Sequence, residues 1–179
     1  MNSGIFTIPP STIMEIYQNL PEGTRADLLE YIIYLLPEPG PAHEQVLESI
    51  YENVLNAKEG SAYANVMAWP CTFFLDETSH AIRPDIAVTL KSNPGKIVSD
   101  MHFRGVPDFV VEVLSPVNKR HDIIKKKSAY QRFGVKEYWT VDPESKAAQH
   151  YALRAGQLQL QAEHNGCIKS QLLPLEFQF

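Results

Sequence analysis

A short apolar run with one charged residue inside it restricts the possible folds of this chain most strongly. The run is Phe109-Val110-Val111-Glu112-Val113-Leu114, and its β-branched residues favour a strand. Apolar residues fall on both alternating faces, which is typical of a strand in the centre of a buried sheet. An ionised carboxylate is costly there unless a cation compensates its charge. The run therefore predicts a central strand in which Glu112 has a cationic partner, and a bound metal ion would be one such partner.

Three helices are predicted from capping and spacing patterns. Thr12 followed by Glu15 has the form of a capping box that opens a short helix. Apolar residues recur at helical spacing over 42–57, with glutamates on the opposite face. The third helix is predicted over 118–133 and ends at Gly134.

Strands are predicted between and after these helices. Residues 26–36 predict a strand or hairpin, and the proline-rich break that follows predicts a loop. Further extended segments are predicted at 62–75, 85–90, 108–114 and 136–142. Short alternating segments separated by tight turns predict antiparallel strands at 149–153, 157–161 and 168–172.

The order of these elements predicts a mixed β-sheet flanked by helices, in the α/β or α+β class, with an antiparallel C-terminal hairpin region. With 179 residues, of which 44% are hydrophobic, the chain can bury one sizeable core. We therefore expect a single domain over 1–179. Within it, 1–41 would be an N-terminal helix and hairpin extension, 42–145 the core, and 146–179 the C-terminal strands.

Composition limits the possible partners. The chain has 16 Lys and Arg against 21 Asp and Glu, a formal net charge of -5, so any contact with nucleic acid must use a local patch. Cys71 and Cys167 are too few and too isolated for a zinc site or a disulfide framework. There is no glycine-rich phosphate loop, so no nucleotide cofactor is expected. No leader or membrane-spanning run is evident, and we expect a cytoplasmic protein without a membrane partner.

A second carboxylate is placed to act with Glu112. Asp85 follows Arg83-Pro84 and opens the apolar run Ile86-Ala87-Val88. Two carboxylates on neighbouring strands would supply the oxygen ligands that Mg²⁺ or Mn²⁺ prefers. The simpler alternatives are a capping role for Asp85 at its turn and, for Glu112, a buried ion pair with Lys126 that has no function.

The helix after the central strand adds a cation. Asp122, Lys126 and Tyr130 recur every four residues and hence share one helix face. Lys126 could reach the carboxylates, where its ammonium would orient an attacking water or neutralise charge on a phosphorus. Asp122, Tyr130 and His43 are candidates for supporting positions around the metal, or for roles only in placing or capping their helices. The other basic residues near Lys126 are more typical of a solvated face.

Several runs share their spacing with a known family. They are Arg83-Pro84-Asp85, then Val106-Pro107-Asp108-Phe109-Val110-Val111-Glu112-Val113-Leu114-Ser115-Pro116, then Asp122, Lys126, Tyr130, Gly134-Val135 and Glu137-Tyr138-Trp139-Thr140-Val141-Asp142-Pro143. Together they resemble the restriction endonuclease family placed in the PD-(D/E)XK nuclease superfamily. The resemblance continues more weakly upstream, through Asp27-Leu28-Leu29-Glu30 and the helix near His43, and downstream into the last hairpin.

The resemblance implies a metal-dependent endonuclease that acts on DNA, with Asp85 and Glu112 at the two acidic positions of the superfamily motif. The lysine expected two residues after the second acid is replaced by Leu114, and Lys126 would substitute for it from the helix. A homodimer is expected, because cutting both strands needs two sites. The competing hypothesis, which Leu114 and the net charge motivate, is a catalytically inactive nuclease fold that binds nucleic acid or another protein.

Overall fold

The computed structural model describes residues 12–57, 63–68, 70–99, 101–116 and 119–179. Its helices are α1 (Ile13–Gln18), α2 (Pro41–Asn56) and α3 (Lys127–Phe133), and a π-helical segment, His121–Lys126, leads directly into α3. The capping box of α1 is confirmed, because the side chains of Thr12 and Glu15 each accept a hydrogen bond from the other's backbone N–H. No helix in these ranges combines the length and the apolar character needed to cross a membrane.

The strands follow one another in short segments. They are β1 (Ala26–Leu29), β2 (Ile32–Leu35), β3 (Tyr63–Ala68), β4 (Thr72–Phe74), β5 (Ala81–Ile82), β6 (Ile86–Leu90), β7 (Lys96–Ser99), β8 (His102–Arg104), β9 (Phe109–Val113), β10 (Glu137–Val141), β11 (Ala147–Arg154), β12 (Gln157–Asn165), β13 (Cys167–Lys169) and β14 (Glu176–Gln178).

Within the described residues these strands form two six-stranded sheets and a ribbon. The central sheet has the order β12-β11-β10-β9-β6-β3, the outer sheet has the order β2-β1-β5-β4-β8-β7, and β13 pairs with β14 as the C-terminal ribbon. Both sheets are mixed, since β9 and β10 run parallel in one and β4 and β8 in the other. The predicted mixed sheet with helices and antiparallel C-terminal strands is confirmed, and the outer sheet adds to it.

Strand β9 is central and buried, as its composition predicts. It lies between β10 and β6, and each of its five residues is buried. Phe109, Val111 and Val113 join the core on the α2 side of the sheet, whereas Val110 joins the core on the α3 side. Because successive residues of a strand point to opposite faces, Glu112 faces the α3 side.

Among the residues that the structure describes, three apolar cores hold the layers together. The first lies between α2 and one face of the central sheet, and the second joins the opposite face to α3 and the outer sheet. The third packs α1 on the far side of the outer sheet. The α3 side of the central sheet is therefore enclosed between two layers, and a charged group there is cut off from bulk water.

A buried carboxylate ties the C-terminal ribbon to the central sheet. Glu137 Oε2 accepts hydrogen bonds from the backbone N–H groups of Gln171, at 3.0 Å, and Leu172, at 2.7 Å. Its Oε1 accepts one from Trp139 Nε1 at 2.7 Å. The ribbon also contributes apolar side chains to the α2-side core, namely Ile168, Leu173 and Leu175.

The predicted helix over 118–133 differs from the structure in its first turns. Lys119 and Arg120 are α-helical, His121–Lys126 are π-helical, and α-helical geometry resumes at Lys127; Asn118 lies outside the described residues. A π-helix bonds each residue to the fifth one along, which widens the turn. Over so few residues, the spacing of apolar side chains does not distinguish the two geometries. The predicted end at Gly134 is confirmed, with a left-handed φ of 88°.

Two predicted strands are wrong as continuous elements. The segment 62–75, of which Ala62 and Trp69 lie outside the described residues, is divided between β3 and β4, and these belong to different sheets. The segment 168–172 is extended only as far as Lys169, because the following residues turn to donate to Glu137. Strands β5, β7, β8 and β14 were not predicted; each has at most four residues, too few for an alternating pattern to emerge.

Candidate functional site

Asp85 and Glu112 lie side by side on neighbouring antiparallel strands. The register between β6 and β9 pairs Ile86 with Val111, and one further step of the same register places Asp85 opposite Glu112. Residues opposite each other share a sheet face, with Cβ atoms roughly 5 Å apart. The backbone N–H of Val113 donates to Asp85 Oδ2 at 2.8 Å, which fixes the Asp85 side chain against β9. The structure therefore brings the two predicted carboxylates together.

Glu112 is almost completely buried and holds two hydrogen-bond donors. Tyr130 Oη donates to Glu112 Oε1 at 2.5 Å, and Lys126 Nζ donates to Glu112 Oε2 at 3.0 Å. Burial raises the pKa of Glu112 well above its ordinary value, and the nearby carboxylates of Asp85 and Asp122 raise it further, although Lys126 opposes them. The environment thus disfavours a charge on Glu112 unless more positive charge is supplied.

Lys126 is the cation at the centre of this cluster. Its Nζ lies 3.7 Å from Asp27 Oδ2 and 3.5 Å from Asp122 Oδ1, and it also donates to the backbone oxygen of Arg83 at 3.2 Å. Burial alone would lower the pKa of Lys126, but the surrounding carboxylates, first Asp27 and then Glu112, raise it well above its ordinary value. The ammonium therefore stays protonated at neutral pH.

Asp122 is buried at the start of the π-helical segment. Burial raises its pKa to about 6, with Lys126 opposing and the carboxylates of Asp85 and Asp27 adding to the rise. Asp122 and Lys126 are four residues apart and face the same side, as their spacing predicts. Four buried carboxylates, those of Asp27, Asp85, Glu112 and Asp122, thus surround one buried ammonium.

Asp27 reaches this cluster from the outer sheet and was missed in the sequence. It lies in β1 and is fully buried. The backbone N–H of Arg83 donates to its Oδ1 at 2.9 Å, and His121 Nε2 lies 2.9 Å from its Oδ2. Burial raises the pKa of Asp27, but Lys126, His121 and the Arg83 N–H outweigh it and lower the pKa. The signal that could have identified Asp27 is the same as for Glu112, one charge in an apolar run.

His43 approaches from the opposite layer. It lies in the first turn of α2, and its Nε2 is 3.2 Å from Asp85 Oδ2. Burial lowers the pKa of His43, but the hydrogen bond and charge of Asp85 outweigh burial and raise it. The other ring nitrogen, Nδ1, is buried without a hydrogen-bond partner among the described residues. His43 therefore contacts the Asp85 carboxylate and does not merely cap its helix.

A small cavity of about 30 Å³ lies among these side chains and is lined by Asp85, Glu112, Asp122, Lys126 and His43. A water molecule or a single ion fits a space of this size. In the part of the chain that the structure describes, no group of three or more His, Cys, Asp or Glu is arranged to hold a metal. Mg²⁺ commonly takes only one or two carboxylates and completes its coordination with water and phosphate oxygens. The excess of buried carboxylates over ammonium suits such a cation.

Leu114 occupies the position two residues after Glu112 and is buried. No cationic side chain is available from that position of the strand. The ammonium within hydrogen-bonding distance of Glu112 comes from Lys126, in the π-helical segment. The helix thus brings Lys126 to Glu112, as the sequence predicts.

Comparison with solved structures identifies a protein of similar fold. A crystal structure described as "a putative nuclease belonging to DUF820", from Anabaena variabilis, is similar to the chain with a TM-score of 0.66 and 20% sequence identity. The match covers 85% of this chain and 83% of that one, and at this identity it shows a shared fold. No curated protein matches the chain.

The match to a protein family is more extensive. The family model described as "Uma2: Putative restriction endonuclease" matches residues 14–179. This range includes every residue of the candidate site, from Asp27 to Tyr130. Together with the shared fold, the match supports a nuclease. Because the match extends over far more than half of its length, this chain belongs to the family described as "Putative restriction endonuclease".

Proposed function

We propose that this protein is a Mg²⁺- or Mn²⁺-dependent endonuclease that hydrolyses phosphodiester bonds of DNA. In this proposal Asp85 and Glu112 hold the metal ion and Lys126 is the third catalytic residue. The observation that supports it most strongly is the convergence of these three side chains at one buried cavity, with Lys126 Nζ 3.0 Å from Glu112 Oε2.

The two carboxylates retain the capacity to bind an ion. Among the described residues, both hydrogen bonds of Asp85 fall on Oδ2, which leaves Oδ1 for a metal. Glu112 accepts one hydrogen bond on each oxygen, and an ionised carboxylate has about four lone-pair sites. When bound here, a divalent cation would lower the pKa of a water molecule and polarise the scissile phosphate.

Lys126 would act by its charge. Because the neighbouring carboxylates keep it protonated, it is not suited to remove a proton from water. Its ammonium is instead suited to neutralise the negative charge that develops on the phosphoryl oxygens in the transition state. This role needs a fixed position, and Asp27, Asp122 and Glu112 provide it by holding the ammonium from three sides.

Three further residues are proposed to position these groups. Tyr130 donates to Glu112 and orients its carboxylate, and His43 contacts Asp85 Oδ2 and orients the second ligand. Asp122 lies beside Lys126 and adds negative charge to the cavity. Groups that hydrogen-bond to metal ligands typically affect metal affinity or activity about 10- to 100-fold when they are removed.

A cleavage assay tests the proposal. With Mg²⁺ or Mn²⁺, the purified protein should cut DNA, and Asp85→Ala, Glu112→Gln and Lys126→Met should each abolish cleavage. Asp108→Asn is the matched control, because Asp108 is also a buried carboxylate beside β9 but pairs with Lys136 at 2.7 Å, away from the cluster. Lys125→Met is the control for the loss of a lysine. Cleavage that survives all three site substitutions would overturn the mechanism.

A catalytically inactive binding module is the second candidate, and two observations favour it. The strand lysine of the superfamily is absent at Leu114, and Lys126 and Tyr130 already satisfy both oxygens of Glu112. Calorimetric titration with Mn²⁺ distinguishes the two functions. A metal centre should give saturable binding that Glu112→Gln removes, whereas an inactive fold should give none.

The expected homodimer stays a prediction, and sedimentation velocity would check it.

A further inference from the structure

A row of polar side chains leads away from the candidate metal centre across the central sheet. Thr140 in β10 pairs with Glu112, Gln149 in β11 pairs with Thr140, and Glu163 in β12 pairs with Gln149. Residues paired in this way share a face of the sheet, and neighbouring strands are about 4.8 Å apart. The row of polar side chains that begins at Asp85 and Glu112 thus continues over three further strands through Thr140, Gln149 and Glu163, and we call these three residues the polar track.

A cavity of about 610 Å³ lies over the far part of this track. Thr140, Gln149 and Glu163 line it, and so does Leu114, next to the end of β9. Its volume is within the range of roughly 300–1,000 Å³ that is typical of small-molecule sites. It is therefore much larger than the space between the carboxylates, and it begins one strand away from Glu112.

The hydroxyl of Thr140 has no hydrogen-bond partner among the residues that the structure describes. The residue is 2% exposed and lines the cavity, so its hydroxyl lies in the cavity wall. Buried polar groups in folded proteins nearly always have a partner, and an exception calls for an explanation. A ligand that enters the cavity beside Thr140 would supply the missing partner.

The charges around the cavity favour a neutral ligand. Lys119 contributes one positive charge, but Asp142 lies 3.3 Å from its Nζ and Glu163 adds a second carboxylate. A phosphate group would meet more negative than positive charge there.

The amide of Gln149 can recognise such a neutral ligand. Gln149 Nε2 donates to Glu163 Oε1 at 2.8 Å, and its Oε1 accepts from Tyr151 Oη at 2.8 Å. A glutamine amide has two N–H groups and two oxygen lone pairs, so one of each remains. A donor and an acceptor side by side are what a glutamine uses to read the edge of a nucleobase.

We propose that this cavity binds one nucleobase of the strand that is cut, and that Thr140 and Gln149 contact the edge of that base. The proposal rests on the proposed nuclease function and adds a base preference beside the scissile phosphate. A base enters a concave pocket only after it leaves its stack. Single-stranded or locally melted DNA is therefore the expected substrate.

Binding to short oligonucleotides tests this site without requiring catalysis. Fluorescence anisotropy in EDTA would compare single-stranded homopolymers of each of the four deoxynucleotides with an abasic strand of equal length and charge. Thr140→Val removes only the hydroxyl, and Thr140→Ser restores it. Thr89→Val is the matched control, because Thr89 is also a buried threonine of the central sheet but accepts a hydrogen bond from Asn65 Nδ2 at 2.9 Å.

The wild type should bind at least one homopolymer more tightly than the abasic strand. Thr140→Val should weaken that binding by roughly three- to tenfold, the range for one neutral hydrogen bond, with no change for the abasic strand. Thr140→Ser should retain the preference, and Thr89→Val should not affect it. Thr140→Val should also be at least as stable to urea as the wild type, since it removes an unsatisfied group.

The base pocket is excluded if the wild type binds every homopolymer and the abasic strand equally, or if Thr140→Val weakens both kinds of strand to the same extent. Whether the wild type cleaves mixed-sequence DNA tests the nuclease proposal by itself. The two proposals therefore fail in different experiments.

Discussion

Lys126 Nζ lies 3.0 Å from Glu112 Oε2, and both side chains are at least 97% buried. This contact joins the helical layer to the middle strand of the central sheet at the point where carboxylates from two other segments, Asp27 in β1 and Asp85 before β6, converge. Removing one partner of a buried ion pair usually costs more than the pair contributes, because the remaining charge has no compensation. The free energy of unfolding should therefore fall strongly when the ammonium of Lys126 is removed.

Lys126→Met should lower the free energy of unfolding by about 3–5 kcal/mol in the absence of metal, the range for a broken buried pair. Added Mn²⁺ should restore part of the loss, since a cation between the carboxylates would replace the missing charge. Urea unfolding with and without Mn²⁺ measures both effects. Lys125→Met, which removes an exposed cation 6.0 Å from the Tyr34 ring centroid, should cost less than about 1 kcal/mol. Equal costs for the two substitutions would contradict the buried pair.

Metal binding should stabilise the folded protein by an amount that depends on Glu112. At a free Mn²⁺ concentration of 100 times Kd, the expected gain is about 2.7 kcal/mol. Thermal unfolding of the wild type should show this gain, and Asp108→Asn should show it as well. Glu112→Gln should show none, and a full gain in that variant would exclude Glu112 as a ligand.

The pH dependence of stability should depend on Asp122. Its pKa is about 6 in the folded state against an ordinary value of 3.8, so the native state binds more protons than the unfolded chain between these two values. The contribution of Asp122 to the free energy of unfolding is therefore full at low pH and is lost as the pH rises from about 4 to about 6. Urea unfolding at several pH values should show a smaller decline for Asp122→Asn than for the wild type. An identical decline would mean that Asp122 does not titrate as its burial implies.

Asp27→Asn should separate catalysis from metal binding. Asp27 is 3.7 Å from Lys126 Nζ and contacts His121, but the hydrogen bonds of Asp85 and the Tyr130 bond to Glu112 do not involve it. The variant should bind Mn²⁺ with near wild-type affinity and have a kcat lower by about 10- to 100-fold. Calorimetry and initial rates measure the two quantities. A purely structural role would instead change neither, or lower both together with stability.

The parts of the fold that could be predicted are those with long, unambiguous patterns. The burial of β9 follows from five apolar residues interrupted by one charge, and α2 follows from four turns of regular spacing. Asp85 and Glu112 could be paired because each stands out against an apolar strand. The contact between Lys126 and the carboxylates could be expected because helix spacing determines which residues share a face.

The remaining features depend on contacts that a pattern does not encode. The turn between β1 and β2 uses Glu30 and Tyr31, both with positive φ, where Asn and Gly are the usual residues. The turn residues therefore did not decide between the strand and the hairpin that residues 26–36 predict. Asp27 reaches Lys126 only because the outer sheet folds against the central one, a long-range arrangement that local spacing does not determine.

The tie between Glu137 and the C-terminal ribbon has a consequence for biosynthesis. The carboxylate is buried, and two of its three donors come from Gln171 and Leu172, which the ribosome adds after all the strands that carry the candidate metal ligands. Until those residues emerge, the Glu137 carboxylate of a nascent chain lacks two of its donors, and the α2-side core lacks the side chains of Leu173 and Leu175. Assembly of the cluster around Lys126, and any metal loading, is thus expected to wait until the segment through Leu175 is free to pack against the central sheet.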